Sequence, residues 1–365
     1  MPVYLFCFLF GSLLGLLAAE FADRWGCSQR YHSSLPKKLL IVLLTGIGAA
    51  CLYWWEVQCQ MLLPFVHPDN TLKHFSLHII LFTFLLAATL TDFYEMVIPD
   101  TITAAGSLAA LCFAILLPYS ALPVTQYEGL TGGFDGPVFE PANFPMHVWS
   151  PIQVHLFTLP TMVFLWWFWC FAMLDRVWYI KLPFRKAHAL FWRYLYRSPR
   201  TKYIIAAAIL VPLCFAFVPD SWERAALQSA LTGMVTGMIL IWAVRLVSQY
   251  ILGIEAMGFG DVTLMGMIGA FLGWQPVLLI FFIAPFFGLI FGIINVILGK
   301  GRAVPYGPFL CLATVVVIIF WCPIWQATQE YFAYGIGVTG LCLFMLLFLF
   351  AGLLYIVHKI MSGFR

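Results

Sequence analysis

The chain has 365 residues, of which 63% are hydrophobic and only 10% charged. Soluble domains carry about 25% charged residues, so this balance excludes an ordinary soluble enzyme or binding module and points to a chain that crosses a membrane repeatedly. The net charge of +3 excludes nothing by itself; the placement of the charges is what informs.

A membrane-spanning helix needs ~20 mostly apolar residues, with a range of roughly 17–25. In chain order, spans are predicted at 3–19, 39–55, 77–92, 101–118, 155–174, 203–218, 226–250, 277–298, 308–326 and 336–358. A shorter segment, 261–273, would reach only about 20 Å as a helix. The predicted fold is all-α: a polytopic transmembrane helix bundle with about eleven membrane segments. The opening MPVYLFCFLF has no basic n-region and no small-residue cleavage site, so it reads as a first span.

Between Thr101 and Leu174 there is no Lys or Arg, although Glu128, Asp135 and Glu140 are present; residues 176–202 then carry eight of the nineteen. With that loop on the cytoplasmic side, alternation of the spans puts seventeen basic residues inside and only Lys73 and Arg224 outside. By the positive-inside rule, the amino terminus is expected outside and the carboxyl terminus in the cytoplasm. The basic segment 176–202 interleaves Trp178, Tyr179, Phe184, Phe191, Trp192, Tyr194 and Tyr196 with its cations. That mixture suits a helix on anionic lipid headgroups better than a nucleic-acid surface, and no nucleic-acid partner is expected.

Several spans carry small residues four apart: Gly11 and Gly15, Gly233 and Gly237, Gly269 and Gly273, Gly288 and Gly292. These are packing features that allow helices to approach closely. The ten cysteines include no CxxC pair, so neither a zinc ribbon nor a redox motif is visible. A disulfide between Cys51 and Cys59 is conceivable from their nearness to the outer face alone. His67, His74 and His78 read as interfacial histidines before they read as metal ligands, and no metal and no cofactor are expected.

Two carboxylates do not fit a purely apolar bundle. Asp92, in TDFYEMVIPD, ends an apolar run; Asp261, in EAMGFGDVTLMGMIGAFLGW, begins one. Taken singly, Asp92 could be an interfacial residue and Asp261 a helix cap. Under the predicted topology, however, both arrive at the same membrane face. Gly258 and Gly260 flank Phe259 just before Asp261 and permit a close approach of another chain. Pro99 stops any helix running on from Asp92, leaving Glu95 and Asp100 in the same short loop. Two carboxylates sharing one proton can activate water and polarise a carbonyl together.

At these residues the sequence resembles a known family, the type IV prepilin peptidases, membrane aspartyl proteases of the GxGD type. Three ordered blocks carry the resemblance: Asp92 with Ile98-Pro99-Asp100; Glu255 to Asp261, continuing through Gly269 to Trp274; and Val304-Pro305-Tyr306-Gly307-Pro308-Phe309. The resemblance implies that Asp92 and Asp261 are the catalytic pair, with Gly258, Gly260 and Pro99 shaping the site and Asp100, Glu255 and Glu95 as accessory groups. It implies cleavage of short basic leader peptides from type IV prepilin-like or pseudopilin precursors at the cytoplasmic face of a bacterial inner membrane. Many members also carry paired CxxC motifs after the first span and methylate the new amino terminus. The corresponding stretch here, EFADRWGCSQRYHSSLPKK, has Cys27 and no tetrad, so methyl transfer is not expected.

The resulting division of the chain is 1–118, amino-terminal helices with the first aspartate; 119–225, an insertion with an outer loop, two extra spans and the basic loop; 226–326, the GxGD core; and 327–365, an additional span. An ion- or proton-coupled transporter is the alternative, because intramembrane acids also mark ion pathways. A noncatalytic assembly homologue is a third reading. The absence of repeated halves, and the placement of both aspartates near one face, favour the peptidase.

Overall fold

A computed structural model of the chain describes residues 2–25, 35–59, 68–120, 122–126, 138–141, 151–174, 184–218, 222–252, 257–298 and 305–333, with scattered positions from 340 to 352. The described residues are almost wholly helical. The predicted span 336–358 lies largely outside them, as do Glu255, Cys27, His67 and residues 176–183.

The first two helices, α1 (Pro2–Trp25) and α2 (Leu35–Tyr53), form a tight pair because small residues face each other. A Cβ at Gly11 would overlap the Ala49 Cβ, and one at Gly15 would overlap the Thr45 side chain. Ion pairs close one end of this pair: Lys38 Nζ lies 2.5 Å from Asp23 Oδ2 and 3.3 Å from Glu20 Oε2, and Arg24 reaches Glu20 at 3.1 Å. At the other end α2 runs on into a π-helical turn, Trp54–Gln58. That turn carries Glu56 inward to His78 of α3 (Pro68–Glu95), with Oε1 2.7 Å from Nδ1 and both side chains fully buried. His74 is also buried, 2% exposed. The expectation of interfacial histidines is therefore corrected for these two: the π turn brings a carboxylate against one of them and the bundle encloses both. Cys51 and Cys59 are free thiols, so the conceivable disulfide is not formed.

Helix α4 (Asp100–Leu116) turns back from α3 and leads to a short antiparallel pair, β1 (Pro123–Gln126) and β2 (Val138–Pro141). Helices α5 (Pro151–Met173), α6 (Phe184–Arg197) and α7 (Pro199–Phe215) follow. The chain bends by 85° between α6 and α7, at Ser198-Pro199, where Pro opens a new helix without needing its own N–H donor. Part of the predicted basic loop is thus a helix, strongly amphipathic and roughly perpendicular to its successor.

The centre of the molecule is α9 (Phe259–Leu272), buried along Asp261–Leu272 and clasped by α8 (Trp222–Leu252) and α4. The α8–α9 contact is backbone on backbone. A Cβ at Gly233 would overlap the Gly269 carbonyl, one at Gly269 the Gly233 carbonyl, and one at Gly237 the Met265 carbonyl. Three of the predicted small-residue pairs are used this way; Gly292 has no atom near its missing Cβ. Helix α10 (Trp274–Ile297) leaves immediately after Gly273, whose φ of 91° glycine tolerates and an ordinary side chain does not.

The segment read as one span at 308–326 is two helices, α11 (Gly307–Ile319) and α12 (Trp321–Ala333), bent by 85°. Aromatic contacts explain why α12 folds over: Phe332 meets Trp274 at 5.6 Å and Trp325 at 5.5 Å between ring centres. Among the described residues five helices are long and apolar enough to cross a membrane, two bent pairs pass the same test jointly, and α4, α9 and residues 159–173 of α5 are shorter apolar helices. The chain is an integral membrane protein of the all-α class.

Candidate active site

Five helix ends meet at one end of the bundle: the carboxyl ends of α3 and α8, and the amino ends of α4, α9 and α11. Asp92, in the last turn of α3, is 5% exposed, and Asp261, in the first turn of α9, is 7% exposed. The two carboxylates lie within electrostatic reach of each other. Asp92 is also held by a backbone donor: the Gly307 N–H donates to its Oδ2 at 2.9 Å. Asp261 stands at the third position of α9 with the backbone of the cap residue Gly258 beside its carboxylate, the place from which an acid reaches back toward a cap N–H.

Local sequence explains how each element arrives. Helix α3 ends at Glu95 because Met96 adopts a left-handed conformation, φ 55°, with its N–H donating to the Asp92 carbonyl at 2.9 Å. Such a cap is usually glycine; a methionine there is uncommon. Pro99, with φ −65° and ψ 132°, then caps α4. On α9, Phe259 is gripped by α8: the Trp242 ring stands edge-on at 5.8 Å and the Arg245 guanidinium lies 5.4 Å from the ring centre. Gly260 lets the first turn of α9 press on the backbone of residue 98, since an added Cβ would stand 2.9 Å from Ile98 Cβ and 3.0 Å from its carbonyl oxygen. Helix α11 is anchored to α3 by the Cys311 thiol, which donates to the Leu85 carbonyl at 3.6 Å.

The expected site residues divide clearly. Asp92, Asp261, Gly258, Gly260 and Pro99 come together. Asp100 instead pairs with Arg200 of α7, Oδ2 to Nη1 3.3 Å, a tie between α4 and α7 and not a contact of the carboxylate pair. Glu95 is the last residue of α3 and half-buried. Glu255 lies outside the described residues. Gly307 and Ile98 take part although the motifs singled them out only as members of a block. Their signal was the block itself; nothing in its spacing says which atom meets Asp92.

Asp261 at a helix amino end and Asp92 at a helix carboxyl end predicts that Asp261 keeps the charge and Asp92 the proton. The amino end of α11 also faces Asp92, through Gly307, so helix dipoles no longer separate the two.

Basic residues gather at the same end: Lys37 stacks on Tyr94 at 5.6 Å, two residues past Asp92, and Arg200 and Arg245 stand as described. Arg224, at the start of α8, donates to the Val218 carbonyl at the opposite end. Among the described residues no three His, Cys, Asp or Glu side chains are grouped to hold a metal.

Fold and site together define a polytopic helical membrane protein with two buried aspartates at one end of its bundle. Residues 200–293, from α7 through most of α10, match the type IV leader peptidase family. The chain is 33% identical over 99 residues to a prepilin leader peptidase/N-methyltransferase of Stutzerimonas stutzeri and 34% identical over 99 residues to one of Pseudomonas aeruginosa, in each case 26% of this chain and 34% of the relative. A relative of that name from Burkholderia pseudomallei (strain 1026b) is 30% identical over 121 residues, 32% of this chain and 39% of its own. The chain thus spans a third or slightly more of these relatives. No solved structure matches it.

Proposed function

We propose that the chain is a membrane aspartic endopeptidase that removes short basic leaders from type IV prepilin-like or pseudopilin precursors at the cytoplasmic membrane face. The observation that carries this reading is the burial of Asp92 and Asp261 within electrostatic reach of each other, Asp92 held by the Gly307 N–H, at the end of the bundle where basic residues collect. The matched segment contains Asp261, and the relatives' names supply the substrate class.

The chemistry follows from the pair. With one proton shared between them, the ionised carboxylate takes a proton from a water whose oxygen attacks the scissile carbonyl. The protonated carboxyl gives its proton to the carbonyl oxygen, forming a neutral tetrahedral diol. Collapse breaks the C–N bond, with a proton passing to the leaving amine and one hydroxyl proton returning to the pair. The shared proton belongs to the dyad and not to either residue. A precursor's apolar helix can stay in lipid while its leader enters from the water side.

The same reading sets the membrane as bacterial and inner, with the amino terminus outside, and gives α6 a place on anionic headgroups, its Lys186, Arg193 and Arg197 exposed. Of the stretch 119–225 read as an insertion, residues 200–225 fall within the matched segment, so the accessory part of this peptidase is 119–199, and methyl transfer is not part of its activity. Against a proton-coupled transporter stands the packing along α3. The buried Glu56–His78 pair is fourteen residues, about 21 Å, from Asp92, and Leu81, Leu85 and Ala88 between them are buried in the apolar core. Coexpression with candidate precursors, followed by mass spectrometry of the mature amino termini, tests the reading; intact leaders on every precursor would overturn it.

A further inference from the structure

Ile98 stands in contact with both halves of the carboxylate machinery. An added Cβ at Gly260, one residue before Asp261, would meet Ile98 Cβ at 2.9 Å; one at Gly307, whose N–H holds Asp92, would meet Ile98 Cδ1 at 2.8 Å and Asp92 Oδ2 at 2.5 Å. The same side chain therefore touches the first turn of α9 with its Cβ and the first residue of α11 with its far methyl. No side chain cushions either contact, because both neighbours are glycines. Ile98 is 5% exposed.

Its own position is fixed from both sides. Upstream, the left-handed Met96 ties its N–H to the Asp92 carbonyl at 2.9 Å. Downstream, Pro99 has its φ set by its ring, and its carbonyl accepts from the Ile102 N–H at 3.1 Å. Between Asp92 and Pro99 little freedom remains, so the side chain of residue 98 acts as a spacer of fixed length. Close-packed interiors transmit a change of even one methylene.

Resting on the peptidase reading, we propose that Ile98 is a positioning residue for the carboxylate pair: a wedge between α9 and α11 that sets the separation of Asp92 and Asp261. It touches no substrate and moves no proton. Shortening it frees the amino end of α11, and with it the Gly307 N–H that holds Asp92, while the Cβ keeps its contact with α9, so the two carboxylates move relative to each other.

The test uses full-length protein in detergent or nanodiscs, with Ile98→Val and Ile98→Ala beside the wild type. Ile98→Val removes only the methyl that meets Gly307; Ile98→Ala removes everything beyond Cβ. On a precursor that the wild type cleaves, kcat should fall about tenfold or more in Ile98→Ala, since a displacement of ~1 Å can cost ~10²-fold. It should fall less in Ile98→Val, with KM little changed in both and the two limbs of the pH–rate profile displaced. A second readout needs no substrate: the infrared carboxyl band lost in both Asp92→Asn and Asp261→Asn should shift in Ile98→Ala. Wild-type kcat, pH profile and carboxyl band in Ile98→Ala would overturn the proposal; if that variant does not accumulate, the same measurements on Ile98→Val decide. A wild type that cleaves no precursor, while the carboxyl band still moves with residue 98, would overturn the peptidase reading and leave the wedge standing.

Discussion

The Gly307 N–H donates to Asp92 Oδ2 across 2.9 Å, linking residues 215 positions apart. This bond makes the third sequence block part of the site, and glycine is the residue that permits it. A Cβ there would fall 2.5 Å from the accepting oxygen. Gly307→Ala is expected to reduce kcat by about 10²-fold through misplacement of Asp92, with a destabilisation of ~1–3 kcal/mol from overpacking. Cleavage kinetics and thermal melting of the purified variant measure the two effects separately.

Asp92→Asn and Asp261→Asn should each abolish cleavage while the protein still inserts and folds. Asn keeps the shape of the side chain but cannot exchange the proton that the dyad shares. Asn keeps an oxygen to accept the Gly307 N–H and buries no charge, so neither variant should melt below the wild type. For the wild type, activity should be bell-shaped in pH, with both limbs belonging to the pair. Measurable turnover in either Asn variant would remove the dyad.

Sidedness gives a third expectation. Cysteine introduced at Gln126 of β1 should react with an impermeant label from outside, and cysteine at Arg193 of α6 from the cytoplasm, in a background lacking the exposed native Cys51, Cys112, Cys214 and Cys342. The opposite pattern would put the aspartates on the outer face, where a cytoplasmic leader cannot reach them.

Glycine positions give an internal control on packing. Gly233→Ala and Gly269→Ala each force a methyl into the facing carbonyl, whereas Gly292→Ala meets no atom within 4 Å. The first two should destabilise by ~1–3 kcal/mol. Gly292→Ala should leave the melting temperature unchanged or slightly raised, since Ala is the better helix former. Equal melting of all three would contradict the α8–α9 contact.

A fifth expectation concerns the missing cysteine tetrad. Precursors cleaved by the purified enzyme should keep an unmodified amino terminus even with a methyl donor present. A product heavier by one methyl group would assign the second activity to this chain.

Much of this was legible before any coordinates. Apolar runs located the helices, and the distribution of Lys and Arg brought Asp92 and Asp261 to one face. The glycine pairs at 233 and 269 announced a close helix contact, since such spacing has few other uses in an apolar segment. The bend at Phe320 was legible only in part: Pro323 interrupts the apolar run 308–326 and breaks a helix there, but the Trp274 and Phe332 rings that hold α12 over carry no such mark. The burial of His74 and His78 was not legible; it follows from a π turn in a helix that reads as ordinary. The wedge at Ile98 was hidden for a third reason: an isoleucine in an apolar chain carries no mark of what it touches.

The order in which the chain is made gives the Gly307–Asp92 contact a temporal meaning. Asp92 is synthesised about 170 residues before Asp261 and 215 before Gly307. Helices α4 and α8, which clasp α9, both precede it in the chain, so its short polar-ended segment emerges to find its neighbours already made. The last part of the pair's support to leave the ribosome is Gly307 itself. A nascent chain therefore carries Asp92 without Asp261 for about 170 residues of its synthesis, and on the peptidase reading a competent site exists only once α11 has docked against α3. On the peptidase reading activity therefore needs the chain at least as far as residue 307, and chains truncated before it should reside in the membrane without the power to cut.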